Sequence, residues 1–164
     1  MKILVPTDFS SFSDYAVKMA IQIAKKHQAE LHLFNCIEID DISHIILTDS
    51  HYQDKLRSAI IEWTKEKLSE TRKEIEDAGV ICVTHYESGS YLNTISNLVK
   101  RISFDLLVIG SHGASGKEEW LIGSNAQKVI RKLHNNILIV KNDIEKLDFS
   151  KVLFVSNLNL EDQE

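Results

Sequence analysis

The chain has 164 residues, 43% of them hydrophobic and 26% charged, which is enough apolar material for one domain with a real core. Its formal net charge of -5 excludes a chain-wide nucleic-acid surface, because phosphate backbones are held by clustered Lys and Arg. A small anionic ligand needs only a local site and stays possible.

No apolar run approaches the ~20 residues that a membrane span requires. The stretch Met1 to Pro6 turns polar too soon for a signal peptide and reads as a strand. Cys36 and Cys82 lie inside apolar runs, outside any CxxC pair, and read as buried free thiols of a reducing compartment. The expected location is the cytoplasm.

Ile3-Leu4-Val5, closed by Pro6, predicts the first strand. The polar turn Thr7 to Ser11 is rich in capping residues. Ala16, Met19, Ala20, Ile23 and His27 then recur at helical spacing. A second strand is expected over Glu30 to Ile37. Glu38 to Ser50 reads as an acidic loop around a short apolar patch.

Leu56, Ile60, Trp63 and Ile75 mark a long second helix ending before Gly79, a residue suited to the positive φ of a helix terminus. Val80 to Tyr86 predicts the third strand. Leu92, Ile95, Leu98, Val99 and Ile102 mark the third helix, and Gly89 reads as the turn before it. Asp105 to Gly110 is the strongest strand signal in the chain. Ala126, Val129, Ile130 and Leu133 mark the fourth helix, and Ile137 to Val140 the last strand.

Strands and helices thus alternate throughout. Right-handed βαβ crossovers then predict an α/β fold: a three-layer, doubly wound, five-stranded parallel sheet of order 3-2-1-4-5 with helices on both faces. The chain reverses between the first and fourth strands, and ligands in such sheets bind beyond the strands' carboxyl ends at that point. This selects two segments for function, Pro6-Thr7-Asp8 to Ser11 and Gly110-Ser111-His112-Gly113 to Ser124.

In the second segment, nine residues separate Gly113 from Gly123-Ser124, which open a helix. Glycines let backbone approach a ligand, and a helix start offers unpaired N–H groups and partial positive charge to a phosphate. Ser124 and Asn125 add side-chain donors. Neither a Walker A loop nor GxGxxG is present.

Gly110-x2-Gly113-x9-Gly123-Ser124, with Ile3 to Ser10 at the amino end, resembles the universal stress protein family over about residues 1 to 142. The resemblance implies binding of ATP or a related adenine nucleotide, with Mg²⁺ as a further candidate. Asp8 would meet the ribose, or the phosphates through a metal. Asn35, Cys36 and Ile37 would line the adenine site through backbone groups. Gly110, Gly113, Gly123, Ser124 and Asn125 would hold ribose and phosphates. The family often dimerises through its last strand, here Ile137 to Val140, and many members are tandem duplications.

The tail fits the last point, since Lys151 to Asn157 echoes Lys2 to Asp8. The expected division is a nucleotide-binding domain over 1–142, then a linker and the first strand of a truncated second domain over 143–164. That strand, Val152 to Val155, is expected to lie against another chain or a sheet edge.

Ala114 stands where many members carry a basic residue, and Glu118-Glu119 adds negative charge to the loop. His112 or Lys117 could substitute. Simpler roles exist for the same residues: Asp8 as a turn or cap, Gly113 and Gly123 as turn glycines, Ser124 with Gln127 as a capping box. The seven histidines form no HxH or HxxxH pattern, so no metal is assigned to them. No nucleophile elbow or spaced acid–base pair is evident. The expected function is a nucleotide-binding stress-response module. The alternatives are an interaction domain of the same fold without nucleotide, or a slow ATPase with His112 as base.

Overall fold

The computed structural model describes residues 1–38, 50–111 and 123–153, the side chains of Ser50 and His51 excepted. Its elements are β1 (Lys2–Pro6), α1 (Ser11–His27), β2 (Glu30–Ile37), α2 (Ser50–Asp77), β3 (Cys82–Ser88), α3 (Tyr91–Arg101), β4 (Leu106–Gly110), α4 (Ser124–Lys132) and β5 (Ile137–Val140). The strands form one sheet of order β3-β2-β1-β4-β5, with every pairing parallel. This is the α/β order that the alternating sequence predicts.

Side chains alternate across a strand, so each central strand feeds two cores. Ile3 and Val5 of β1 join Leu31, Leu33 and Val108 beneath α1 and α2. Leu4 turns to the opposite face, where Phe34, Leu107 and Ile109 meet Ile95, Leu98 and Val129 of α3 and α4. Three layers result. Each fully buried aliphatic side chain contributes about 1.5–3 kcal/mol. That is why the runs of β1 and β4 are apolar without interruption. Among the described residues no helix is long and apolar enough to cross a membrane.

Helix α1 lies close to the sheet because Ala16, Ala20 and Ala24, one per turn, are all buried against it. Its N-cap is Ser10, whose Oγ accepts from the Ser13 N–H at 3.4 Å. Lys25, Lys26 and His27 in its last turn complement the negative end of the helix dipole.

Helix α2 ends in a Schellman motif. Gly79 takes φ +84, its N–H reaches the Glu76 carbonyl, and the Val80 N–H reaches Ile75. This moves β3 two residues beyond its expected start. Val80 is consumed as the apolar contact that closes the helix end, Ile81 is 71% exposed, and pairing begins at Cys82 opposite Leu31. The strand then runs past Tyr86, in register with β2, until Ser88 pairs Ile37.

The expected loop over Glu38 to Ser50 lies outside the described residues except for its two ends. Val152 and Leu153 of the tail are exposed and belong to no strand, and the rest of that expected strand also lies outside.

The face formed with α3 and α4 carries a pair of histidines, His32 buried and His85 half-buried. His32 Nδ1 and His85 Nε2 are 2.8 Å apart, one donating to the other, and the rings are nearly parallel. Phe104 meets His32 edge-on at 5.0 Å. His32 Nε2 is buried without a hydrogen bond, and Glu30 Oε2 is 3.6 Å from it. Burial lowers both pKa values. Glu30 opposes this at His32 and Lys2 reinforces it, while His32 and Arg101 reinforce it at His85, where Glu87 and Glu30 oppose.

Because both folded-state values lie below the ordinary 6.5, the unfolded chain takes up protons first as pH falls. Stability should therefore decline as pH drops through about 6.5. The urea midpoint is expected to fall between about pH 7.5 and about pH 5.5, and His85→Leu should flatten that dependence. A parent midpoint independent of pH over that range would contradict the account.

Candidate functional site

The carboxyl ends of β1 and β4 lie side by side at the point where the chain reverses. Three backbone bonds join the elements there. The Ser111 N–H donates to the Val140 carbonyl at 2.8 Å, the Gly123 N–H donates to the Ser111 carbonyl at 2.6 Å, and the Thr7 N–H donates to Phe34 at 2.8 Å. Both ends of the glycine segment therefore return to one place, at the tip of β4 and the start of α4.

Gly110 is required by sterics. A Cβ built on it would stand 2.6 Å from the Phe12 carbonyl oxygen and 2.8 Å from its carbon, both backbone atoms. No side chain can yield to relieve the clash. The glycine lets the first turn of α1 sit directly on the end of β4.

Gly123 is the N-cap of α4, with no side-chain cap bond, and Gln127 donates to its carbonyl. Ser124 is thus the first helical residue, and the expected Ser124–Gln127 capping box is not made. A capping box needs its serine in extended conformation before the helix, and Gly123 holds that position with ψ 150. Asn125 follows in the same first turn. The opening N–H groups of a helix have no intrahelical acceptor and point outward.

Opposite, the β1–α1 turn is held by hydroxyl and carboxylate groups. Asp8 Oδ1 accepts from the Ser10 N–H at 3.1 Å and from Ser10 Oγ at 2.5 Å. Asp8 is therefore an exposed turn former that steadies the capping serine, and does not itself cap α1. Thr7 Oγ1 accepts from the Phe9 N–H and lies 3.1 Å from Ser13 Oγ. Phe9 is held at φ +60, and its ring meets Trp63 of α2 edge-on at 5.3 Å. Trp63 is 49% exposed, so it covers this turn from outside and is not a core residue.

Asn35 joins the turn to β2. Its buried Nδ2 donates to the Thr7 carbonyl at 2.8 Å. The last residues of β2 meet the start of α3. The Cys36 thiol donates to the Gly89 carbonyl and accepts from Thr94 Oγ1, each at 3.2 Å. The Gly89 N–H donates to Ile37, and Glu38 Oε1 accepts from the Tyr91 N–H at 3.0 Å. Glu38 thereby satisfies a donor at a helix start whose N-cap, Ser90, makes no side-chain bond.

Gly89 takes φ +139, which only glycine adopts readily. Burial pushes the Cys36 thiol up, so it stays protonated and acts as a wall, not a nucleophile. Burial likewise raises the Tyr91 hydroxyl.

Pro6, Thr7, Asp8, Gly110, Ser111, Gly123, Ser124 and Asn125 thus belong to the adjoining β1, β4 and α4 termini. Asn35, Cys36 and Ile37 lie one strand further along. His112 and Gly113 fall outside the described residues, as do Ala114, Lys117, Glu118, Glu119 and Trp120. The Glu38–Tyr91 and Cys36–Thr94 ties were not read from the sequence. Each joins residues more than fifty positions apart, and only the parallel β2–β3 register brings them together.

The family model described as the universal stress protein family matches residues 1–141. The chain belongs to the universal stress protein family. A relative from Methanocaldococcus jannaschii, universal stress protein MJ0531, is 35% identical over 141 residues, covering 85% of this chain and 81% of its own. Among solved structures, that of MJ0577, a protein of the same organism, is 28% identical with a TM-score of 0.76, covering 86% of this chain and 95% of the other. A universal stress protein solved in complex with cAMP shares the fold at 24% identity and a TM-score of 0.62, covering 86% and 96%.

Two substitutions probe this universal stress protein's site. Gly110→Ala should destabilise the fold by about 1–3 kcal/mol, because backbone must shift to admit the methyl group; urea denaturation measures this. Asn35→Leu should cost about 1–3 kcal/mol by leaving the Thr7 carbonyl buried without a donor. Wild-type stability for either variant would show that the contact is dispensable.

Proposed function

We propose that this universal stress protein is a regulatory module that binds an adenine nucleotide, ATP, at the adjoining ends of β1 and β4. The observation that carries the reading is the closure of Ser111 on Gly123 at the start of α4. There the opening N–H groups of Ser124 and Asn125 suit phosphate oxygens. In this reading Gly110, Ser111, His112 and Gly113 lie along ribose and phosphates. The backbone of Asn35, Cys36 and Ile37 faces the base.

Asp8 offers an exposed carboxylate, with Pro6 and Thr7 beside it, for a ribose hydroxyl or a magnesium ion that would offset phosphate charge. The relative of this fold that was solved with cAMP supports the adenine class. A nucleotide held mainly by backbone donors favours occupancy as the signal over turnover. Paired copies through the edge strand β5, a cytoplasmic setting and a second domain beginning in 143–164 complete the proposal.

Isothermal titration with ATP and Mg²⁺ is expected to show one site. Gly123→Val keeps an allowed backbone at φ -56 but sets a branched side chain over the opening turn of α4. It should weaken binding about tenfold or more, a loss of at least about 1.4 kcal/mol. No heat from the parent protein, or equal affinity in Gly123→Val, would overturn the assignment.

A further inference from the structure

A cavity lies at the pole of the sheet opposite the Ser111–Gly123 closure. It has a volume of about 440 Å³, within the range of small-molecule sites. Ile23 of α1, Leu106 of β4, and Ile137 and Leu138 of β5 form its walls, and Leu147 and Phe149 from the segment after β5 form its roof.

The roof is fixed to α1. Gln22 Nε2 donates to the Ile144 carbonyl at 3.1 Å, and Gln22 Oε1 accepts from the Leu147 N–H at 2.7 Å. Lys18 Nζ bonds Asp143 at 2.6 Å. Lys26 supplies a cation at the mouth, beside Met1 and His27, and no carboxylate lines the cavity. In a chain of net charge -5, that is a local reversal of sign.

We propose that this cavity binds an amphipathic carboxylate: a medium-length aliphatic chain lies among the six apolar residues, and its anionic head faces Lys26. The mouth sets the selection. An apolar tail alone would gain the burial, but only an anion also gains the charge at the mouth, and a cation would meet repulsion there.

The probe is decanoate, kept below its micellar concentration and titrated into the full chain while ¹⁵N amide shifts are followed. Saturable shifts are expected at Ile23, Leu106 and Leu138, with those of Gly110 and Gly123 unmoved. Lys26→Glu, a change at an exposed position, should raise the dissociation constant about tenfold. Decyltrimethylammonium should bind about tenfold more weakly than decanoate. The proposal is overturned if decanoate moves none of the three residues, if Lys26→Glu binds it as the parent does, or if the cation binds equally well.

Discussion

The first turn of α1 rests on the end of β4 with space for a hydrogen atom, and nothing larger, at residue 110. Much of the molecule follows from that contact. It brings the β1–α1 turn against the tip of the fourth strand, although the sequence separates them by a hundred residues. It also lets the alanine stripe of α1 lie flat on the sheet. A wider gap would separate the two strand ends and leave the start of α4 without a facing surface.

The turn opposite Gly110 is rigid for a different reason. Its polar groups are bonded to one another and to β2: Asp8 to Ser10, Thr7 to the Phe9 amide, and Asn35 to the Thr7 carbonyl. A turn built this way is held in place by its own bonds and keeps little conformational freedom to lose.

The strand order was legible because the apolar runs are unbroken and the helical periods between them are strong. The bounds of β2 and β5 follow directly from those runs. β3 was misjudged because Val80 is apolar for a helix-closing reason that looks the same as strand patterning. The capping-box alternative for Ser124 fails because a capping box and a first-turn serine share one sequence pattern, and only the conformation of Gly123 separates them. The histidine pair was invisible for a third reason. His32 and His85 are fifty-three positions apart, and no local rule joins them. In the site, the glycines and Asp8 stood out by spacing, whereas the Glu38 and Asn35 ties depend on parallel register.

The pair of hydrogen bonds from Gln22 to the chain after β5 has a geometric effect. A side-chain amide there takes the place of a peptide group in a neighbouring strand, and it holds the departing chain along the outside of α1. The chain therefore leaves the domain beside the amino ends of the strands, a full sheet length from the Ser111–Gly123 closure. Helix α1 spans the two poles: its first turn abuts Gly110, and its later turns carry Lys18 and Gln22. One helix thus touches both ends of the sheet.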